Sequence, residues 1–323
     1  MRAGEWWEFK LAPIFAAFYG TALLCGTPVA TLWRSALILL LAIAPGAMFV
    51  SVINDVTDRD EDLAAGKRNR MVGRPRWFIA LLLTLTIGCG VMFAILWRRD
   101  HALLSCYLAA WAAFTLYSVP PFRFKARGLL GVLCDASGAH LFPTLVAVFL
   151  AQRDAARSAS IVWIIAVGAW AFACGLRGIL WHQLLDAEND RRAGIHTFGE
   201  RSATLAARFG TWIVFPIELI ALTVLLAQLH SLWPLALLAV YLIDVAGQVA
   251  FVDARVLIVT PVERPITFLQ DYYTFFFPIA ILIASGDWIV LVIHAIAFPG
   301  GAIHAAQDVG YLLRRIARRV QNK

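Results

Sequence analysis

Apolar residues gather in runs of roughly 18–25 along the whole chain, each long enough to cross a hydrocarbon core about 30 Å thick as a helix. The runs predict spans over residues 11–29, 35–55, 77–97, 102–118, 129–151, 160–184, 210–228, 232–250, 267–285 and 288–310. "FPGG" at 298–301 interrupts the last, which is therefore either a full tenth span or a broken, partly interfacial helix. The polar segments between runs are too short to form a separate soluble domain. The pattern predicts one all-α membrane domain over residues 1–323.

Composition agrees with that pattern. The chain is 61% hydrophobic and 15% charged, with a mean hydropathy of +0.74. Soluble domains run nearer half apolar and a quarter charged. The opening "MRAGEWWEFKLAPIFAAFYGTALLCGTPVA" places acidic residues and tryptophans ahead of a long apolar run, which reads as a retained first helix and not as a cleaved signal. All five cysteines (Cys25, Cys89, Cys106, Cys134, Cys174) lie in apolar runs without CxxC spacing, so neither a disulfide framework nor a cysteine metal site is expected.

The formal charge of +7 changes the picture through where it sits. Arg59, Lys67, Arg68, Arg70, Arg74 and Arg76 share one loop. Arg123, Lys125 and Arg127 occupy a second, and Arg191, Arg192, Arg201 and Arg208 a third. All three loops follow even-numbered spans, so they share one face, and the positive-inside rule makes it cytoplasmic. The tail "RRIARRVQNK" falls on the same face, against weak dissent from Arg98 and Arg99. This distribution marks topology and excludes a nucleic-acid partner. The expected location is a bacterial cytoplasmic membrane, and nothing in the pattern speaks to oligomeric state.

Two acidic clusters end apolar helices on that face. In "NDVTDRDED" (54–62), at about 100° per helical residue, Asn54, Asp55, Asp58 and Asp62 fall on one face about 100° wide while Asp60 points away. In "WHQLLDAENDRRAGIHT", Asp186 and Asp190 are one turn apart, with His182, Gln183 and Asn189 on the same side. Like charges at this spacing repel, so a helix alone does not favour it. Hard oxygen ligands on facing helices suit Mg²⁺, which takes one or two carboxylates plus substrate phosphates. The arginines and lysines downstream can meet the same phosphates. For one cluster, a solvated helix end explains as much; two on one face favour a shared diphosphate site.

These residues resemble the UbiA superfamily of intramembrane prenyltransferases. Its NDxxDxxxD motif is matched by Asn54, Asp55, Asp58 and Asp62. Its DxxxD motif, followed by a basic residue, a glycine and a Ser/Thr, is matched by Asp186, Asp190, Arg192, Gly194 and Thr197. A third stretch, "YSVPPFRFKARGLLG" at 117–131, resembles the family's YSxPPxRxK element. The chain departs by having "LAAGKRNRMVGRP" where members carry an HPxKxxRP-like string, and His196 where some have lysine.

The resemblance implies nine helices, with a tenth here in question, around a central cavity open to lipid. It implies two Mg²⁺ ions held by Asp55, Asp58, Asp62, Asp186 and Asp190 that bind a prenyl diphosphate donor, ionised to an allylic cation that a small, aromatic or other, acceptor attacks. Asn54, Lys67, Arg70, Arg74, Tyr117, Arg123, Lys125, Arg177, Gln183 and Arg192 are then candidates to bind substrate. Asp58, Asp190 and His182 are candidates for the chemistry itself. His182 and Gln183 read equally as helix-packing polar residues, and Arg177 equally as half of a buried ion pair. Asp135 and His140, inside the fifth span, either contact an acceptor or serve as a base, or bond each other or a neighbouring helix. "DYYTFFFP" (271–278) lines a prenyl groove or packs as membrane anchors. Two other functions remain: a terpene cyclase of the same fold needing no acceptor, and a cation-coupled transporter. Transporters place their sites near the bilayer midplane, whereas these clusters sit at helix ends.

Overall fold

The structure is a computed structural model, describing residues 6–64, 66, 68–194 and 196–321. Fifteen α-helices account for most of it. In chain order they are α1 (Ala12–Leu24), α2 (Trp33–Thr57), α3 (Arg59–Ala64), α4 (Arg76–Leu96), α5 (His101–Ser118), α6 (Leu129–Ala136), α7 (Phe142–Ala155) and α8 (Ile161–Ala193). Then come α9 (Phe198–Arg201), α10 (Ala203–Phe209), α11 (Phe215–Gln228), α12 (Trp233–Val252), α13 (Phe277–Ser285), α14 (Trp288–Ala297) and α15 (Pro299–Gln321).

Proline placement explains the unusual joints. The π-helical turns Trp7–Leu11, Ser137–Leu141, Gly210–Val214 and Tyr272–Phe276 each run straight into a helix whose second residue is proline: Pro13, Pro143, Pro216 and Pro278. Proline supplies no N–H and its ring crowds the carbonyl four residues back. A turn widened by one residue keeps the helix continuous across that defect. Elsewhere the ends follow ordinary capping. Asp100 and Ser160 accept from the N–H three residues on, and Gly194 (φ 68°) and Gly286 (φ 72°) close α8 and α13 in the left-handed region.

The interior is built from α1, α7, α8 and α13. Helix α8 packs on α6, α7 and α11; α1 packs on α7 and α13; α2 packs on α4, α5 and α7. Trp163 and Trp170 of α8, Phe18 of α1 and Phe277 of α13 are buried in one core. The outward faces are apolar too: Leu85 and Ile95 of α4 and Ile243 of α12 are more than half exposed, as a lipid-facing surface requires.

Six helical stretches are long and apolar enough to cross a membrane, or seven if the bent α14–α15 pair counts as one. The chain is an integral membrane protein. The nine or ten spans expected are each largely helical, but those over 11–29, 102–118 and 267–285 do not reach that standard among the described residues. The tenth is broken: α14 and α15 meet at 80° beside Phe298. One element was not legible at all, a parallel pair of short strands, β1 (Arg255–Leu257) and β2 (Pro265–Thr267), with Arg255 opposite Pro265.

Asp287, just ahead of α14, is buried and accepts from the backbone N–H groups of Val29 (2.9 Å) and Ala30 (3.2 Å), tying the end of the chain to its first loop. Asp287→Ala strands both donors in the interior. The expected loss is about 1–3 kcal/mol, read as a lower melting temperature in detergent; an unchanged melting temperature would contradict this anchor.

Candidate active site

The first acidic cluster starts in the last turn of α2. Asp58 ends that helix, yet its N–H bonds Asn54 O (2.9 Å) and Asp62 N–H bonds Asp58 O (2.8 Å), so the helical register carries through into α3. The shared face expected for Asn54, Asp55, Asp58 and Asp62 therefore survives the joint, and Asp60 is exposed. Asp55 is buried.

Countercharge comes from the 117–131 loop. Lys125 Nζ contacts Asp58 Oδ1, and Arg123 Nη2 reaches both Asp58 (3.2 Å) and Glu61 (2.6 Å). Ser118 Oγ donates to Asn54 Oδ1. The loop contains a cis Pro120–Pro121 bond, left-handed Arg123 (φ 39°) and the 3₁₀ turn Phe124–Ala126. At Gly131 a Cβ would stand 2.6 Å from Phe124 O, so the backbones meet there only because the residue is glycine. On the other side of the cluster, Asn69 Nδ2 donates to Asp62 Oδ2 (2.8 Å) and Asp55 O (2.7 Å).

The second cluster lies at the end of α8. Thr197 Oγ1 donates to Asp190 Oδ2 (3.1 Å) and accepts from Glu200 N (3.2 Å), joining the motif's last acid to its threonine. Asp186 is half-buried. Gly128 forms a bridge with Thr197, so the loop that neutralises the first cluster is stitched to the second. Tyr117, at the start of that loop, is within electrostatic reach of Asp190 and Asp135.

Several expected substrate ligands have other work. Arg177 forms the buried ion pair: Nε and Nη2 donate to Glu218 (2.7 and 3.0 Å), and Tyr273 OH donates to the same carboxylate (3.0 Å). Gln183 is buried and its Oε1 accepts from Gly199 N (3.2 Å), where a Cβ on Gly199 would collide with the Gln183 backbone. Arg74 is exposed and lies over the Phe78 ring, and Arg192 is exposed and paired with Glu188. Lys67 lies outside the described residues. By contrast, Arg70 Nη1 and Arg123 Nε are buried without a hydrogen-bond partner, the condition of donors shaped for an absent acceptor.

Between these elements opens a cavity of about 660 Å³. Asn54, Ser51 and His182 mark the acidic end, and Trp111, Phe114, Trp170 and Tyr273 contribute aromatic wall. Tyr273 comes from the 271–278 stretch, whose Tyr272 and Phe277 are buried core. Three residues that sequence reasoning did not single out matter here. Lys10 lines the cavity, Asn69 clamps the first cluster and Glu218 holds Arg177. Glu218 was findable, since a lone acid inside an apolar run needs a partner and Arg177 was a free-standing cation in another. Lys10 and Asn69 gave no such signal.

No three His, Cys, Asp or Glu side chains converge on one point among the described residues, so no all-protein metal cage exists there. The donors are nevertheless hard oxygens throughout. That set fits Mg²⁺, which binds few carboxylates and fills its shell with water and phosphate oxygens.

The sequence pattern of the UbiA prenyltransferase family matches residues 11–260. The chain belongs to that family, and is a prenyltransferase. Two lycopene elongase/hydratases, from Halobacterium salinarum and Haloferax volcanii, are each 29% identical to it. The first alignment covers 65% of this chain and 74% of the relative, the second 61% and 64%. A UbiA homolog from Archaeoglobus fulgidus, solved with GPP and Mg²⁺, superposes at a TM-score of 0.49 and 17% identity, over 95% of this chain and 96% of that one. The same homolog with DMAPP and Mg²⁺ gives 0.47 at 17% identity, with the same coverage.

The Arg177–Glu218 pair gives a direct test of this UbiA-family chain's interior. Removing one partner, as in Arg177→Met, leaves a buried carboxylate alone and is expected to cost about 3–5 kcal/mol. The double variant Arg177→Met/Glu218→Leu should recover most of that in detergent melting. Equal losses in the single and double variants would contradict the pairing.

Proposed function

We propose that the protein transfers a prenyl group from its diphosphate to a small acceptor inside the membrane, with Mg²⁺ bound between the two acidic helix ends on the cytoplasmic face. One observation carries this reading: Asp58 of the first motif is neutralised by Lys125 and Arg123 from a loop that is itself bridged to Thr197, the partner of Asp190 in the second. The two motifs are thus built as one site.

Asp55, Asp58 and Asp62 on one side and Asp186 and Asp190 on the other would hold the metal. When bound, Mg²⁺ supplies positive charge that stabilises the departing diphosphate. Lys125, Arg123 and Arg70 bind the diphosphate oxygens directly, and the buried unpartnered nitrogens of the two arginines support that role. These cations need little rearrangement as charge grows on the leaving group, which is the condition for electrostatic catalysis. Asn54, held by Ser118, and Tyr117 shape the boundary between the diphosphate and the cavity. His182 stands at that boundary, placed to exchange a proton or a hydrogen bond with the reacting groups. The mainly apolar lining keeps bulk water from the cation, and the aromatic rings stabilise it through their faces.

The relatives' name, lycopene elongase/hydratase, joins chain extension to the addition of water. It supports an apolar isoprenoid acceptor over the aromatic acceptor expected from the family resemblance.

The test is diphosphate release from a radiolabelled prenyl diphosphate by purified protein. Asp58→Asn and Asp190→Asn are each expected to lower it by at least about 100-fold, and chelation of Mg²⁺ should abolish it. Full turnover in either variant would remove these residues from the site.

A further inference from the structure

The cavity has a second group of polar side chains, on elements other than those that carry the two acidic motifs. Lys10 sits on the π turn Trp7–Leu11, Asp135 near the end of α6, and His140 on the π turn Ser137–Leu141. All three line the cavity. Residues five apart in a regular α-helix point about 140° away from each other. The widened turn ahead of Pro143 brings Asp135 and His140 to one cavity instead. Lys10 lies within electrostatic reach of both, and His182 of Asp135.

None of these three takes part in a side-chain hydrogen bond or an ion pair among the described residues. They differ in this from Asp58, Asp62 and Asp190, which already have protein partners. Ionisable groups turned into an apolar membrane cavity without a protein partner require a ligand that hydrogen-bonds. A held water molecule typically makes two to four polar contacts, and a cation, a carboxylate and an imidazole line this one cavity.

We propose that Lys10, Asp135 and His140 hold a water molecule that terminates the reaction by adding to a carbocation formed in the cavity. This rests on the reading that the chain ionises a prenyl diphosphate. The donor's C1–O bond breaks and its electron pair leaves with the diphosphate. The allylic cation either remains as such or is passed on when an acceptor double bond attacks it to form a C–C bond. A lone pair of the held water forms a C–O bond to the cation, and the proton released goes to the Asp135 carboxylate, giving an alcohol. Lys10 and His140 orient the water and balance the carboxylate's charge. Most of the remaining lining is apolar, which keeps bulk water from the cation while this one water is held.

Purified full-length protein in lipid nanodiscs with Mg²⁺ and dimethylallyl diphosphate, in ¹⁸O-labelled water, tests this without an acceptor. Diphosphate release reports ionisation, and mass spectrometry of the prenyl alcohol reports ¹⁸O bound to carbon. Cleavage at phosphorus would leave unlabelled alcohol. The wild type is expected to form labelled alcohol in step with diphosphate. Asp135→Asn and Lys10→Met should each lower labelled alcohol per diphosphate released by about tenfold or more, with Asp135→Glu restoring part of it. Diphosphate release without labelled alcohol, or an unchanged ratio in both variants, would overturn the water site. Absence of diphosphate release from the wild type would instead overturn the prenyl diphosphate reading on which it rests.

Discussion

Carboxylates at the edge of a bilayer need countercharge, and the candidate site depends on how this chain supplies it. Removing a carboxylate from bulk water costs several kcal/mol unless it is paired and hydrogen-bonded. Asp58 meets Lys125 and Arg123, Asp62 meets Asn69, and Asp190 meets Thr197. The first three partners come from loops and the fourth from the turn after α8, so the loop conformations are part of the electrostatics. Left-handed Arg123, the close approach at Gly131 and the Gly128–Thr197 bridge fix where the cations stand. In the reading proposed above, a lysine or arginine that neutralises an acid turns to the diphosphate once metal ions hold the acids.

Backbone defects shape the cavity that the site opens into. Four of the five prolines at second positions of helices are preceded by a widened turn, and three of those turns supply cavity residues: Lys10, His140 and Tyr273. Polar groups thereby reach a membrane interior whose lining is mainly apolar and aromatic. The Arg177–Glu218–Tyr273 cluster holds α8, α11 and the last π turn together beside that cavity, with its charges satisfied internally. One polar group of the interior is structural, then, and another faces the reaction space.

Much of this was legible in the sequence because membranes impose simple rules. Apolar run lengths located the helices, and the spacing of Asn54, Asp55, Asp58 and Asp62 gave one face that persists across the α2–α3 joint. The 117–131 stretch was recognisable as well. Side-chain partners over long separations were not. Nothing local distinguishes Arg74, which lies on Phe78, from Arg70, whose Nη1 is buried and unpartnered. Gln183 shares a helical face with Asp186, yet its amide faces Gly199, because the chain turns back after Gly194. The strands at 255–257 and 265–267 are three residues each, too short for any period to register. Span number was less legible, since helices such as α5 are of spanning length but mix polar with apolar residues, so run length and composition do not fix the count.

The central claim is that the two acidic helix ends form one metal-dependent diphosphate site. It is tested most directly by solving the protein with a non-ionising prenyl thiodiphosphate and Mn²⁺, and locating the metal by anomalous scattering. The account predicts Mn²⁺ between Asp55, Asp58 and Asp62 on one side and Asp186 and Asp190 on the other, with Lys125 moved from Asp58 to the diphosphate. A thiodiphosphate bound elsewhere, or bound with Lys125 still on Asp58 and no metal at either cluster, would contradict it.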